Sequence, residues 1–203
     1  MRKLFRFLAI LITAVAGALL LSTPAHAADN WSQPIVTLGT SLTDSQKSGT
    51  ISTLTAPLNG ASYNTITVTG DTLVKYLNPS GSSFTSSSGV WSSAAVQKTS
   101  SGSGINVQIL PYNGKNNITQ ITADQYKNAA LTAGVTDANI YVTSAVPIDG
   151  SGALAGVYAA FAQNGDALNQ KQVTAAQNEM STLNDNNQAN KGKDGYSDPQ
   201  LNN

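Results

Sequence analysis

The sequence predicts an α/β protein of the α+β kind. It should be a single domain, a mixed β-sheet covered by helices, with a central hairpin and a C-terminal helix. Three observations lead there. Short segments of period two alternate along the chain with segments of period 3.6, the pattern of strands interleaved with helices. Two Thr-x-x-Gln sequences, Thr43 to Gln46 and Thr122 to Gln125, mark helix starts. Finally, the 203 residues include a leader whose removal leaves 176, enough for one core that buries about 70% of the unfolded surface.

The leader comes first. Arg2, Lys3 and Arg6 form a positive region, residues 8–21 are apolar and uncharged, and Ala25-His26-Ala27 is a small-x-small cleavage site. That is the secretory pattern, and the apolar run is short for a ~20-residue span. Residues 1–27 are therefore expected to be a signal peptide cut between Ala27 and Ala28, residues 28–183 the globular domain, and residues 184–203 a disordered tail. No later segment is apolar enough to span a membrane after cleavage.

Ile35-Val36-Thr37-Leu38 reads as a strand closed by Gly39. The box at Thr43 starts a helix whose continuation is weak, because Gly49 interrupts it and its apolar stripe is only Ile51 and Leu54. Residues 65–69 alternate as a half-buried strand, and a short helix over 72–77 follows with Asp71 as its N-cap, stopped at Asn78-Pro79. Residues 80–104 are rich in Ser, Thr and Gly and read as two flexible loops around an edge strand at residues 94–98. Residues 105–109 alternate and are expected to pair with that strand as the hairpin.

The box at Thr122 starts a second helix, with Ile121 and Tyr126 placed as a hydrophobic staple and Gly134 as its stop. Ile140-Tyr141-Val142-Thr143 shows little polar alternation and fits a central strand. Leu154, Val157, Tyr158 and Phe161 then follow i, i+3, i+4, i+7 in the best helix of the chain. A last helix over 167–183 carries Val173, Ala176, Met180 and Leu183 on one side.

Beyond residue 27 there is no His, Cys or Arg, and eight lysines stand against eleven carboxylates, a net charge of −3. That composition excludes Ser-His-Asp and Cys-His catalysis, thiolate or imidazole metal sites and guanidinium clamps. It also lacks the basic footprint of a nucleic-acid binder and the polybasic face that anionic lipid requires. An exported fold without cysteine relies on its core rather than on disulfides.

Gly150-Ser151-Gly152 follows a strand and opens a helix, the setting of a phosphate-binding turn. The dinucleotide pattern fails because position 155 is alanine and the glycine comes at Gly156, and no Gly-Lys-Ser/Thr supplies a P-loop. The structural reading gives the cap to Ser151 or Asp149 and close helix–sheet approach to Gly152, Gly156 and Ala159. The alternative is an anion or ligand turn.

A pair of carboxylates at about 5–9.5 Å can hydrolyse glycosides. Asp44, Asp71 and Asp124 are explained as helix-start residues. Asp185, Asp194 and Asp198 fall in the tail, which leaves Asp137, Asp149 and Asp166 as the candidates. No lysine has serine three positions before it, so the Ser-x-x-Lys dyad motif is absent. Asn184-Asp185-Asn186-Asn187 lacks the glycine and the distal acid of a calcium loop. Trp31 and Trp91 are candidate sugar-stacking rings, with core packing the rival reading for Trp91 and a fold back onto the domain for Trp31. No catalytic, cofactor or metal residue is assigned.

Several of these segments stand in one order: Val36-Thr37-Leu38-Gly39 with Leu42-Thr43; Thr67-Val68-Thr69 with Asp71; Gly104-Ile105-Asn106-Val107; Asn117-Ile118-Thr119 with Tyr126; Leu131-Thr132-Ala133-Gly134-Val135; and Gly150 through Val157. In that order the chain resembles the YpuA-like family of exported proteins of unknown function, DUF1002, found mainly in Gram-positive bacteria. The resemblance covers roughly residues 34–183 and is most specific over 117–161. It departs from the family where charged positions are Ser, Thr or Asn. It implies a secreted or cell-envelope location and no activity. The expectation is therefore a secreted or wall-associated, non-catalytic binding module for a cell-wall polymer or envelope protein. The alternative is an extracellular carboxylate-dependent hydrolase.

Overall fold

A computed structural model describes residue 31, residues 33–165 and residues 168–190 of the protein. The expected signal peptide with its Ala27–Ala28 cleavage point, Asp166 and residues 191–203 lie outside the described residues. Among the described residues one five-stranded sheet runs in the order β2-β1-β3-β5-β4. The strands are β1 (Ile35–Gly39), β2 (Asn64–Val68), β3 (Ser92–Lys98), β4 (Ile105–Ile109) and β5 (Ala138–Ser144). The helices are α1 (Asp44–Thr55), α2 (Gly70–Leu77), α3 (Ala123–Thr132), α4 (Ser151–Gln163) and α5 (Gln170–Asn190).

β1 is parallel to β2, β4 is parallel to β5, and β3 is antiparallel to both its neighbours, β1 and β5. The sheet is thus mixed, as expected, but two expectations fail. β3 and β4 do not form a hairpin, because β5 lies between them and pairs with both. β3 is also the middle strand rather than an edge. Its first five residues are all buried, and their small side chains (Ser92, Ser93, Ala94, Ala95) let helices approach both faces.

Period two divides the strands between two cores. Val36 and Leu38 of β1, Ala95 of β3 and Tyr141 of β5 face α1, where Leu54 and Leu58 complete a small cluster. Ile35, Val68, Ala94, Val96, Ile140 and Val142 take part in the larger cluster built with α2, α3, α4 and α5. α4 is the hub of that layer and is buried from Gly152 through Tyr158, so apolar residues on all its sides are used. Gly156 permits the contact. A Cβ there would collide with Oγ1 of Thr37, and Thr37 Oγ1 is itself held by Ala94 N–H at 3.1 Å and Ala94 O at 3.2 Å.

The local signals hold where contacts are local. Thr43 and Gln46 form the capping box of α1, which runs through Gly49 for twelve residues. Thr122 and Gln125 form that of α3, with Ile121 and Tyr126 buried beside it. At the far end of α3, Gly134 at φ 91° lets its own N–H reach Leu131 O and that of Val135 reach Ala130 O. The cap of α2 differs from the expectation. Thr69, not Asp71, is the N-cap, in a reciprocal box with Thr72, so α2 begins at Gly70.

The serine-rich stretch is tied down rather than loose. Asn78 exchanges two hydrogen bonds with the backbone of Phe84, and Val90 N–H donates to Ser41 Oγ at 2.9 Å. α5 buries Val173, Ala176 and Met180 and continues to Asn190, so residues 184–190 are helical where an unstructured tail was expected.

Candidate functional site

β1, β2, β4 and β5 all point the same way, so their carboxyl ends share one edge of the sheet. Each of these strands leads to a helix, and α1, α2, α3 and α4 therefore start near that edge. After β1 the chain turns to the face covered by α1, whereas after the adjacent β2 it turns to the opposite face and α2. Adjacent parallel strands whose connections part in this way leave a crevice outside their carboxyl ends, the usual ligand position in open sheets.

A crevice of about 280 Å³ is present there, lined by Leu38, Gly39, Thr40, Leu42, Asp44, Lys47 and Thr67. β1 ends on Gly39, where a Cβ would strike the backbone carbonyl of Val90. The chain then folds over with Thr40 N–H on Val68 O and Ser41 N–H on Val90 O, both at 2.9 Å. This brings β2, β1 and the start of β3 into one rim. Thr40, Asp44, Lys47 and Thr67 are exposed and present two hydroxyls, one carboxylate and one ammonium to solvent. Hydroxyls donate and accept, so the rim suits a polar ligand bearing hydroxyl or amide groups. None of Thr40, Leu42, Lys47 or Thr67 stands out in the sequence. The strand closed by Gly39 just before a capped helix was the one available signal.

The Gly150-Ser151-Gly152 turn lies beyond the end of β5. Asp149 accepts the Ser151 N–H at 3.1 Å and the Ser151 hydroxyl through its other oxygen. Ala153 N–H reaches Ser92 Oγ at 2.9 Å and Gly150 O at 3.1 Å. Gly150, at φ 112°, is the N-cap, and its carbonyl accepts the Tyr126 hydroxyl at 2.8 Å. Burial, with the Asp149 carboxylate second, holds the Tyr126 pKa well above its ordinary value, so this hydroxyl stays a neutral donor. Two of the first helical N–H groups thus have acceptors within the protein, and a carboxylate occupies the place an anion would take. Gly152 fits close packing, since a Cβ would press on Ser92 of the central strand and on Val90 just before it.

Asp137 and Asp149, the two candidate acids among the described residues, do not meet. Asp137 directly precedes β5, at φ 47°, and its carboxylate accepts the Gly104 N–H. Asp149 follows the other end of the same strand, seven residues long, so the two are about 20 Å apart along its axis. Trp31 folds back, as one reading had it, with its ring centroid 4.8 Å from that of Phe161. Trp91 precedes β3 and is half-buried against Gly89. Among the described residues no three His, Cys, Asp or Glu side chains gather as a metal site, and no helix is long and apolar enough to cross a membrane.

The family model for a protein of unknown function, DUF1002, matches residues 38–203. The chain belongs to the DUF1002 family. It is 34% identical over 145 residues to the uncharacterized protein YpuA of Bacillus subtilis (strain 168), a match covering 71% of this chain and 47% of that protein. This DUF1002 chain therefore spans about half the length of the curated relative it matches. No solved structure matches it. The family match begins at Leu38, so the crevice and the 150–152 turn both fall within it.

Proposed function

We propose that this DUF1002 protein is an exported, non-catalytic binding module that holds a hydroxyl-rich cell-wall polymer or an envelope partner in the crevice at the carboxyl edge of its sheet. The lining carries this reading. Thr40 and Thr67 offer hydroxyls, Asp44 and Lys47 offer one charge of each sign, and Leu38 and Leu42 offer apolar surface. Such a lining binds and orients a polar chain. Proton transfer at neutral pH draws mostly on imidazole, thiol or paired carboxyl groups. Glycoside hydrolysis needs two carboxylates at about 5–9.5 Å, and Asp137 and Asp149 stand at opposite ends of β5.

The test is retention of the secreted chain on purified wall polysaccharide, comparing wild type with Thr67→Trp, which fills the crevice from an exposed edge position. Retention lost in the variant is the expected result. Undiminished retention, or release of reducing ends by wild type, would overturn the reading. Export is checked by N-terminal sequencing of secreted material, which should begin at Ala28.

A further inference from the structure

α5 and the turn that follows α2 flank a second cavity, open to solvent, of about 220 Å³, lined by Gly81, Ser82, Gln177, Met180 and Ser181. The two cavities share no lining residue, the crevice being built from β1, α1 and β2 and this one from α5 and the turn after α2. Gln177 is the informative residue. It is only 6% exposed, and its Nε2 donates to Tyr158 Oη at 2.9 Å. That hydroxyl has one proton, which it gives to the carbonyl of Ala129 at 3.3 Å. Tyr158 must therefore accept from Gln177, which fixes the amide with its nitrogen toward the tyrosine and its oxygen away. Tyr158 is braced by Tyr76, ring centroids 5.9 Å apart. Among the described residues no donor reaches Gln177 Oε1. This oxygen is open to solvent, and a hydroxyl or amide proton of a molecule in the cavity would take the place of water on it.

We propose that this cavity is a binding site for a neutral, hydroxyl-bearing molecule the size of one sugar ring. Gln177 Oε1 would accept one hydroxyl or amide proton, and the Ser82 and Ser181 hydroxyls, able to donate or accept, would meet its neighbours. Met180 supplies an apolar surface for the C–H face of a ring. Among the described residues no charged side chain lines the cavity, so an ion entering it would lose hydration without a partner from them. At about 220 Å³ the cavity has room for one ring. This inference does not rest on the crevice reading. Sugar titration reports on Gln177 and Ser181, polymer retention reports on Thr67, and either can fail alone.

The experiment is a two-dimensional NMR titration of the labelled protein with methyl glucopyranoside, N-acetylglucosamine and, as a charged control, inorganic phosphate. The expected result is saturable shifts of the Gln177 side-chain amide and of the Ser82 and Ser181 backbone amides with the sugars and not with phosphate. Ser181→Phe, at an exposed position, should fill the cavity, keep the thermal midpoint and weaken the sugars at least roughly tenfold, about 1.4 kcal/mol. Gln177→Leu should abolish the response, and a far-ultraviolet spectrum reports its fold. Absence of saturable shifts in wild type, equal shifts in Ser181→Phe, or equal shifts with phosphate would each overturn the proposal.

Discussion

Replacing glycine by alanine inside a helix should have opposite signs at two places in this protein. In an exposed helix the change stabilises by about 1 kcal/mol, because glycine loses more backbone freedom on folding. At Gly156 of α4 the new methyl group would enter Thr37 of β1, at 2.9 Å from its Cβ and closer still to Oγ1, and stand 3.2 Å from Val68 Cγ2. Thr37 is fully buried and its hydroxyl bridges β1 to β3 through both backbone groups of Ala94, so it has nowhere to turn. Overpacking costs about 1–3 kcal/mol, and each hydrogen bond lost a further 0.5–1.5 or so. Against the propensity gain, Gly156→Ala should lose about 2–4 kcal/mol net. At Gly49 of α1 the obstacle is the tip of Tyr112, its hydroxyl 2.6 Å away, a half-buried side chain that can swing aside. Gly49→Ala should therefore be neutral or stabilising by up to about 1 kcal/mol. Urea unfolding with the slope checked for constancy measures both. Equal signs at the two positions, or Gly156→Ala within about half a kcal/mol of wild type, would refute the argument that α4 sits against β1 through this glycine.

Four further outcomes follow from the same structure. Phe161, fully buried beneath Trp31, should cost about 3–5 kcal/mol when cut to alanine, read from the denaturation midpoint. Ser151→Ala should change stability by less than about 1 kcal/mol, since the Ser151 hydroxyl donates to Asp149 and caps no helix N–H, whereas Asp149→Ala should cost more. Burial raises the pKa of both Tyr126 and Tyr158. Their protonated folded forms give full stability below pH ~10, and stability should fall by up to about 2.7 kcal/mol per pH unit above it as the unfolded tyrosines ionise. Replacing both by Phe should flatten that alkaline limb. Ending the chain after Leu183 should lower the thermal midpoint by no more than a few degrees, because Val173, Ala176, Gln177 and Met180 remain in place.

The features legible in the residues are those made by near neighbours. A capping box joins positions three apart, so Thr43 with Gln46 and Thr122 with Gln125 declare two helices without reference to the rest of the fold. The third box escaped because its N3 residue is Thr72, whose short hydroxyl seldom plays the part of Glu or Gln. The periodic apolar face of α4 needed no context either. Residues 184–190 read as tail because helices there need no apolar residue to continue one that is already docked.

Strand partners are another matter, because pairing joins residues far apart and alternation looks the same on any strand. The nearest partner for β4 in sequence was β3, and the chain instead brings β5 between them, 29 residues beyond the end of β4. β3 looked like an edge because stretches rich in Ser, Thr and Gly flank it on both sides. Only the packed structure shows that small residues are what a strand needs when helices press on both sides of it. The crevice belongs to the same class of fact. Its residues come from β1, α1 and β2, and what makes them a site is that α1 and α2 leave adjacent strands on opposite faces of the sheet. Local spacing and composition were enough for the helix starts, the narrowing of the chemistry and the apolar stripes. Tertiary structure alone decided which strands are neighbours, which glycines are indispensable and where the clefts lie, because those depend on contacts between segments that no local spacing encodes.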